Sequence, residues 1–244
     1  MDKERFTVRF AETEEEKRKV YALRYTDMLK EYRADIHSES GLDITEYDEY
    51  AKQDVCIDNQ MGEIAGSYRI IGGDDLPKGK PFVCEEEFEI DALKAQGVKI
   101  AELSRAVVKK EYRNTAVLML LLRFIANYVR KEQYRYLIGE ASFPGVDKGQ
   151  YLEEISYLSA FYRINESCEI KARETEQLTL LAKEELAVAE VKRKIPTLIR
   201  AYTGFGAKVS KETFTDREFG SVDIFILLDL ENYNEQYLNK LLRI

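Results

Sequence analysis

Residues 99–142 read KIAELSRAVVKKEYRNTAVLMLLLRFIANYVRKEQYRYLIGEAS, and the fold follows from how that stretch divides. Lys99 to about Lys109 has the apolar and β-branched content of a buried strand. Thr115 to about Lys131 carries Val117, Leu121, Phe124, Ile125 and Tyr128 at helical spacing, a stripe that belongs to a core. Arg135 to about Ala141 is a second strand. The first strand also holds Glu102, Ser104 and Arg105, and ionisable groups inside a buried strand are costly unless something uses them. Strict alternation puts Glu102 and Ser104 on one face and Arg105 on the other; a β-bulge near Leu103 to Arg105 would bring the three together, and bulges occur beside active sites. Between strand and helix lies the polar turn Glu111 to Asn114, with Asn114 the expected N-cap. The helix start behind it offers unpaired N–H groups and a positive dipole end, which favour phosphate.

Outward from this unit, Arg5 to Phe10 alternates as a strand, and Glu12 to Tyr32 has helical spacing behind a Thr13/Glu16 capping box. Ala34 to Asp48 is a polar loop. Asp54 to Ile57 and Glu63 to Ile71 form a hairpin through Asp58-Asn59-Gln60-Met61-Gly62, with Gly62 the expected positive-φ residue. GGDDLPKGKP, residues 72–81, breaks the pattern. The acidic segment that follows contains a short helix near Ile90 to Ala95, and its Glu85-Glu86-Glu87 run is expected to be a solvated face. On the C-terminal side, Ser142 to Gly149 reads as a loop, Gln150 to Arg163 as a helix, and Glu166 to Lys194 as a charged, largely helical arm. Pro196 starts another short helix ending near Gly204. Strands are expected from near Ala207 and over SVDIFILLDL, residues 221–230, with a last short helix at Tyr233 to Leu242.

Composition narrows the chemistry. The chain has 244 residues, 45% hydrophobic and 34% charged, with a formal charge of −8 that argues against general nucleic-acid binding. No run approaches eighteen apolar residues and Met1 to Phe10 is charged, so neither a membrane span nor a secretory signal is expected and the cytoplasm is the expected location. Cys56, Cys84 and Cys168 are few and widely spaced, without a CxxC pair, and read as ordinary thiols. His37 is the only histidine, which removes most zinc-hydrolase schemes; no metal is expected.

The element order, with a phosphate-binding turn between a central strand and a helix, resembles the GNAT acyltransferases. Local strings narrow the likeness: ALRY at Ala22 to Tyr25, EYDEY at Glu46 to Tyr50, GSYRII at Gly66 to Ile71, AELSRAVVKKEYRN at Ala101 to Asn114, YRYLIGEASFPG at Tyr134 to Gly145, LIRAYTGFGAKV, and DREFGSVDIFILL. Together they are similar to the bacterial N-acyltransferases of the ornithine-lipid and N-acyl amino acid synthase type, and more distantly to acyl-homoserine-lactone autoinducer synthases. That resemblance implies an α/β (α+β) fold with a GNAT-like mixed central sheet of about seven strands and helices on both faces. It further implies one domain over residues 1–244, interrupted by a charged helical insertion at about 150–200.

The implied activity is transfer of a long-chain fatty acyl group to the α-amine of an amino acid, ornithine-like or other. Acyl-phosphopantetheine on an acyl carrier protein is the implied donor, with no tightly bound cofactor and a coenzyme A thioester as the alternative. A conventional coenzyme A-dependent acyltransferase acting on a small amine or protein, and a non-catalytic acyl-binding module, remain the competing readings. The usual acetyltransferase turn, Q/R-x-x-G-x-G/A, is here Arg113-Asn114-Thr115-Ala116-Val117-Leu118 without its glycines. Glycine allows close approach to pyrophosphate, so the turn fits a single phosphate better. A lipid product implies contact with a membrane surface.

Glu102 is the candidate general base, acting through water, or else a structural partner of Arg105 or Arg69. Ser104 and Arg105 stand with it as the catalytic candidates. Arg24, Asp48 and Arg69 match polar motif positions and would bind the acceptor or order its loop. Val107 and Val108 would lie along the pantetheine, with Arg113, Asn114, Thr115 and Ala116 as the phosphate cradle or a plain helix cap. Lys109, Lys110, Arg113, Arg123, Arg130 and Lys131 gather positive charge that would steer an acidic carrier protein.

Overall fold

The structure is a computed structural model and describes residues 5–33, 35–113, 115–168, 170–234 and 236–237. In chain order the elements are β1 (Phe6–Phe10), α1 (Glu14–Arg24), β2 (Lys52–Asp58), β3 (Glu63–Gly72), β4 (Phe88–Glu89), α2 (Asp91–Lys94), β5 (Ile100–Val108), α3 (Val117–Lys131), β6 (Tyr136–Pro144), α4 (Leu152–Tyr162), β7 (Lys171–Ala172), α5 (Val188–Lys194), α6 (Thr197–Phe205), β8 (Lys208–Asp216) and β9 (Ser221–Asp229). The α/β class and the seven longer strands agree with expectation. The chain forms two compact units, one drawn from residues 1–80 and 101–134, the other from 81–100 and 135–237.

In the first unit, β1, β2, β3 and β5 pair antiparallel in that order. The β2–β3 hairpin turns at Gly62, φ +67°. Val55 packs with Val20 and Tyr21 of α1. One position along, on the opposite face, Gly66 lies under α3: a Cβ there would stand 2.9 Å from both the Val107 carbonyl oxygen and Val117 Cγ1. Alternation thus sets α1 on one face of these strands and α3 on the other. On α3, Val117, Leu121, Leu122, Ile125 and Val129 are buried, while Phe124 and Tyr128 meet Phe10 edge-on. Thr13 caps α1 through the Glu16 N–H, and Glu16 returns its carboxylate to the backbone N–H groups of Glu12 and Thr13. The helix continues past Arg24 as a π-helical segment, Tyr25–Leu29, before Lys30–Tyr32.

The second unit pairs β6, β9 and β8 antiparallel, with β4 on β7 as a two-residue ladder. Its core joins β6, β8 and β9 to α4, α5 and α6 through Phe143, Ile155, Leu158, Val191, Ile199 and Ile224. Two expectations change here. Ser142 to Pro144 belongs to β6, because every residue from Tyr136 to Pro144 has a partner on β9. The segment 166–187 is mostly irregular, its backbone tied down by side chains: Glu212 accepts from the Ala172 N–H, and Gln177 bonds both backbone groups of Thr213. Among the described residues of that arm, only Val188–Lys194 is α-helical. Charge density there reflects a surface strap rather than a helix face. The short helix behind Pro196 ends near Gly204 as expected: α6 runs to Phe205 and closes at Gly206, φ +102°. The helix expected at Tyr233 to Leu242 falls largely outside the described residues.

Candidate active site

The decisive local event is in β5. Its register against β3 pairs Ser67 with Val107 and Arg69 with Ser104, so one β3 residue, Tyr68, faces two on β5, Arg105 and Ala106. That is a β-bulge. Arg105 takes φ +53°, a left-handed backbone that an arginine adopts only when its surroundings impose it. The turn carries the Arg105 side chain away from the face that alternation assigns to it. Arg105 Nε then lies 3.1 Å from Asp43 Oδ2, on the side occupied by Glu102, Ser104 and Arg69.

A buried charged floor lies beneath. Arg24, wholly buried, donates through both Nη atoms to Asp48 Oδ1 at 2.9 and 2.8 Å and to Gln53 Oε1. Gln53 donates in turn to the same Asp48 oxygen. Asp48 Oδ2 accepts from the Thr45 N–H, which fixes the 43–48 loop. Arg69 donates from Nε to Ser104 Oγ at 2.9 Å and from Nη1 to Thr45 Oγ1 at 2.7 Å; its Nη2 is buried without a hydrogen-bond partner. Three guanidinium groups, Arg24, Arg69 and Arg105, are thereby gathered with three carboxylates, Asp43, Asp48 and Glu102. Burial, then Arg105 and Arg24, pull Arg69 down to about 10, while Asp48 and Glu102 oppose the shift. Burial likewise lowers Arg24.

Of the expected site residues, Arg24, Asp48, Arg69 and Glu102 are sealed, whereas Ser104 and Arg105 are partly exposed. The structure therefore brings Glu102, Ser104 and Arg105 to one side, over a floor of Arg24, Asp48 and Arg69. Asp43, Thr45 and Gln53 complete that floor and carry no recognisable motif; the only signal was the polar density of the loop that Asp43 and Thr45 share.

The strand ends at Val108, followed by a 3-10 turn, Lys110–Tyr112, and α3 from Val117. Val107 is buried and Val108 half-buried. Arg113 is committed to protein groups: Nε to the Val108 carbonyl, Nη2 to the Asp27 carbonyl and Nη1 to Glu31. Thr115 Oγ1 donates to the Tyr112 carbonyl and accepts from the Val117 N–H, the role expected of Asn114, which lies outside the described residues. Ala116 precedes the first helical residue. The turn is pinned from below, since Tyr112 Oη bonds Asp58 and Glu63, and Lys109 pairs with Glu63 at 2.6 Å. Of the basic residues, Lys109 and Arg113 are thus paired, and Lys110, Arg130 and Lys131 are exposed.

In the second unit, Glu87 departs from the expected solvated run. It joins Asp216 and Asp223, carboxylate oxygens of all three lying within 4.8 Å of one another. Burial first, then Asp223 and Asp216, push Glu87 up to about 9, against a bond from Glu140. Burial also raises Asp223 to about 6. Glu85 is not free in solvent either, since it accepts from the Phe82 N–H and from Lys94. A run of like charges in sequence says nothing about which of its members the fold turns inward.

Comparison with known proteins fits this geometry. Residues 23–123, from the end of α1 to the first half of α3, match the acetyltransferase (GNAT) domain model. The chain has a GNAT-like fold and is an acyltransferase. It is 28% identical over 240 residues to the L-ornithine N(alpha)-acyltransferase of Rhodobacter capsulatus, covering 95% of this chain and 93% of that protein. Among solved structures, the coenzyme A-dependent acyl-homoserine lactone synthase BjaI superposes with a TM-score of 0.53 at 14% identity, over 93% of this chain and 81% of that one. FeeM, an N-acyl amino acid synthase from uncultured soil microbes, gives a TM-score of 0.53 at 13% identity, over 94% of this chain and 94% of that one. These structural likenesses speak for the fold of the acyltransferase.

Proposed function

We propose that this acyltransferase moves a long-chain fatty acyl group from phosphopantetheine on an acyl carrier protein to the α-amine of an ornithine-like amino acid. The observation that carries the reading is the β5 bulge, which sets partly exposed Arg105 and Ser104 on the side of buried Glu102, over a charge-balanced floor. An amino-acid acceptor brings a carboxylate and an ammonium. Arg105 suits the first, because its planar fork grips a carboxylate through two hydrogen bonds. Glu102 suits the second, taking a proton through water so that the free amine attacks the thioester. The bulge interrupts the β3–β5 ladder at Arg105 and Ala106, and a backbone N–H of β5 polarises the thioester carbonyl there. Attack forms the C–N bond, the tetrahedral intermediate collapses, and the carrier thiol leaves with a proton.

Val107 and Val108 guide the pantetheine arm toward this point, and the Arg113–Ala116 turn at the start of α3 receives its phosphate. Arg113 serves there by holding the turn, since its side chain already bonds Val108, Asp27 and Glu31. The absence of glycine from this turn favours one phosphate over a pyrophosphate. The exposed Lys110, Arg130 and Lys131 supply positive charge for an acidic carrier. The sequence likeness to the L-ornithine N(alpha)-acyltransferase of Rhodobacter capsulatus supports ornithine as the first acceptor to try.

The test is a donor-by-acceptor matrix: acylated carrier protein and acyl-coenzyme A, each against a panel of amino acids with ornithine and its carboxyl-blocked amide, read by mass spectrometry. N-acylornithine from the carrier donor, and little from the amide, is the expected result. Product only from coenzyme A, or equal use of the amide, contradicts the donor and the acceptor assignments respectively.

A further inference from the structure

On β3, Tyr68 stands opposite the bulged pair Arg105 and Ala106 of β5, and its N–H donates to Asp54 Oδ1 on β2. The neighbouring Ser67 Oγ donates to the Asp54 carbonyl oxygen at 2.6 Å. One β2 residue therefore holds both β3 residues at the point where the register jumps. Asp54 is fully buried, and its Oδ2 has no hydrogen-bond partner. Alternation places Asp54 with Tyr68 and Gly66 on the α3 side of the strands, whereas Gln53 and Arg69 pair on the side of the charged floor. Asp54 cannot touch an acceptor bound over Arg105.

We infer that Asp54 is a positioning residue for the acceptor site: by holding Tyr68 and Ser67 it fixes the bulge, and with it the places of Arg69 against Ser104 and of Arg105 against Asp43. The inference rests on the acceptor reading above for its kinetic consequence but not for its structural one. A buried strand N–H that loses its acceptor must find another or let the ladder slip. A slip of one residue would return Arg105 to the other face. Burial pushes the Asp54 carboxyl well above its ordinary range, and its Oδ1 is the oxygen that accepts from Tyr68. An amide has the same shape and an equivalent oxygen.

The test compares Asp54→Asn with Asp54→Leu, which keeps the shape and removes the acceptor; Asp54→Ala serves if the leucine variant does not fold. In full-length protein, amide hydrogen exchange at residues 67–69 and 104–106 is measured beside steady-state kinetics with ornithine and acylated carrier protein. Asp54→Asn should match the wild type in exchange and remain within about twofold in kcat/KM. The leucine variant should lose protection at those residues and raise the ornithine KM about tenfold or more, leaving the donor KM unchanged. A merely structural role would reduce kcat through loss of folded enzyme and leave both KM values in place. That outcome, unaltered exchange in the leucine variant, or an asparagine variant as impaired as leucine, overturns the inference. Wild-type protein that makes no N-acyl amino acid removes the acceptor reading, and the exchange comparison still decides whether Asp54 holds the bulge.

Discussion

Arg105 Nε stands 3.1 Å from Asp43 Oδ2, and it reaches that position from a backbone at φ +53°. A left-handed conformation costs a residue with a Cβ about 1–2 kcal/mol. Replacing Arg105 by glycine removes that strain but leaves Asp43 with one charged neighbour fewer. Stability of Arg105→Gly should therefore stay within about 1–2 kcal/mol of the wild type in urea denaturation, while kcat/KM for the amino-acid acceptor falls at least about a hundredfold. A variant that is equally active would detach Arg105 from acceptor binding.

Arg24 and Asp48 form a sealed pair, with side chains 0% and 3% exposed. Taking away one partner strands a charge in the interior, which costs about 3–5 kcal/mol. Asp48→Ala should show that loss in chemical denaturation, and Arg24→Met with Asp48→Leu together should recover a large part of it. If the single variant loses less than about 1 kcal/mol, the floor is not the rigid support described above.

Gly66 leaves no room for a Cβ beneath Val117 and Leu121. Gly66→Ala should push α3 off the strands and cost about 1–3 kcal/mol, seen as a lower Tm. The same displacement moves the turn at the start of α3, so the KM for the acyl donor should rise with it.

Glu87 gives a pH test in the second unit. Its carboxyl is raised to about 9 and that of Asp223 to about 6, so between the unfolded values near 4 and these folded ones the folded chain holds more protons than the unfolded chain. Stability must then fall as pH rises through that window. Glu87→Gln removes the proton requirement; it should raise Tm at pH 8 by a few degrees, about 1 kcal/mol or more, and flatten the profile from pH 5 to 9. A profile identical to the wild type would contradict the burial of this group.

Legibility in the sequence followed the range of the forces involved. Periodicity recovered the β2–β3 hairpin with its Gly62 turn, the strand–turn–helix at Ile100–Lys131, and β9, because each is set by neighbours a few residues apart. The misplaced charge in β5 marked Glu102, Ser104 and Arg105, and a bulge was the only device able to unite them. Its location one residue further on, at Arg105 and Ala106, depends on Tyr68 and Asp54, which lie about 35 and 50 positions away along the chain. No local pattern encodes that. Glu87 illustrates the same limit: its place in an acidic run suggested solvent, and contacts with Asp216 and Asp223 decided otherwise.

The central claim is that Glu102, buried at the floor beside Ser104 and Arg105, deprotonates the acceptor amine. Its most direct measurement is the rate of N-acylornithine formation from acylated carrier protein by wild type and Glu102→Gln, with folding of both checked by circular dichroism. The account predicts product from the wild type and a loss of at least about a hundredfold in kcat for the folded glutamine variant. A folded Glu102→Gln enzyme that turns over at the wild-type rate would contradict it.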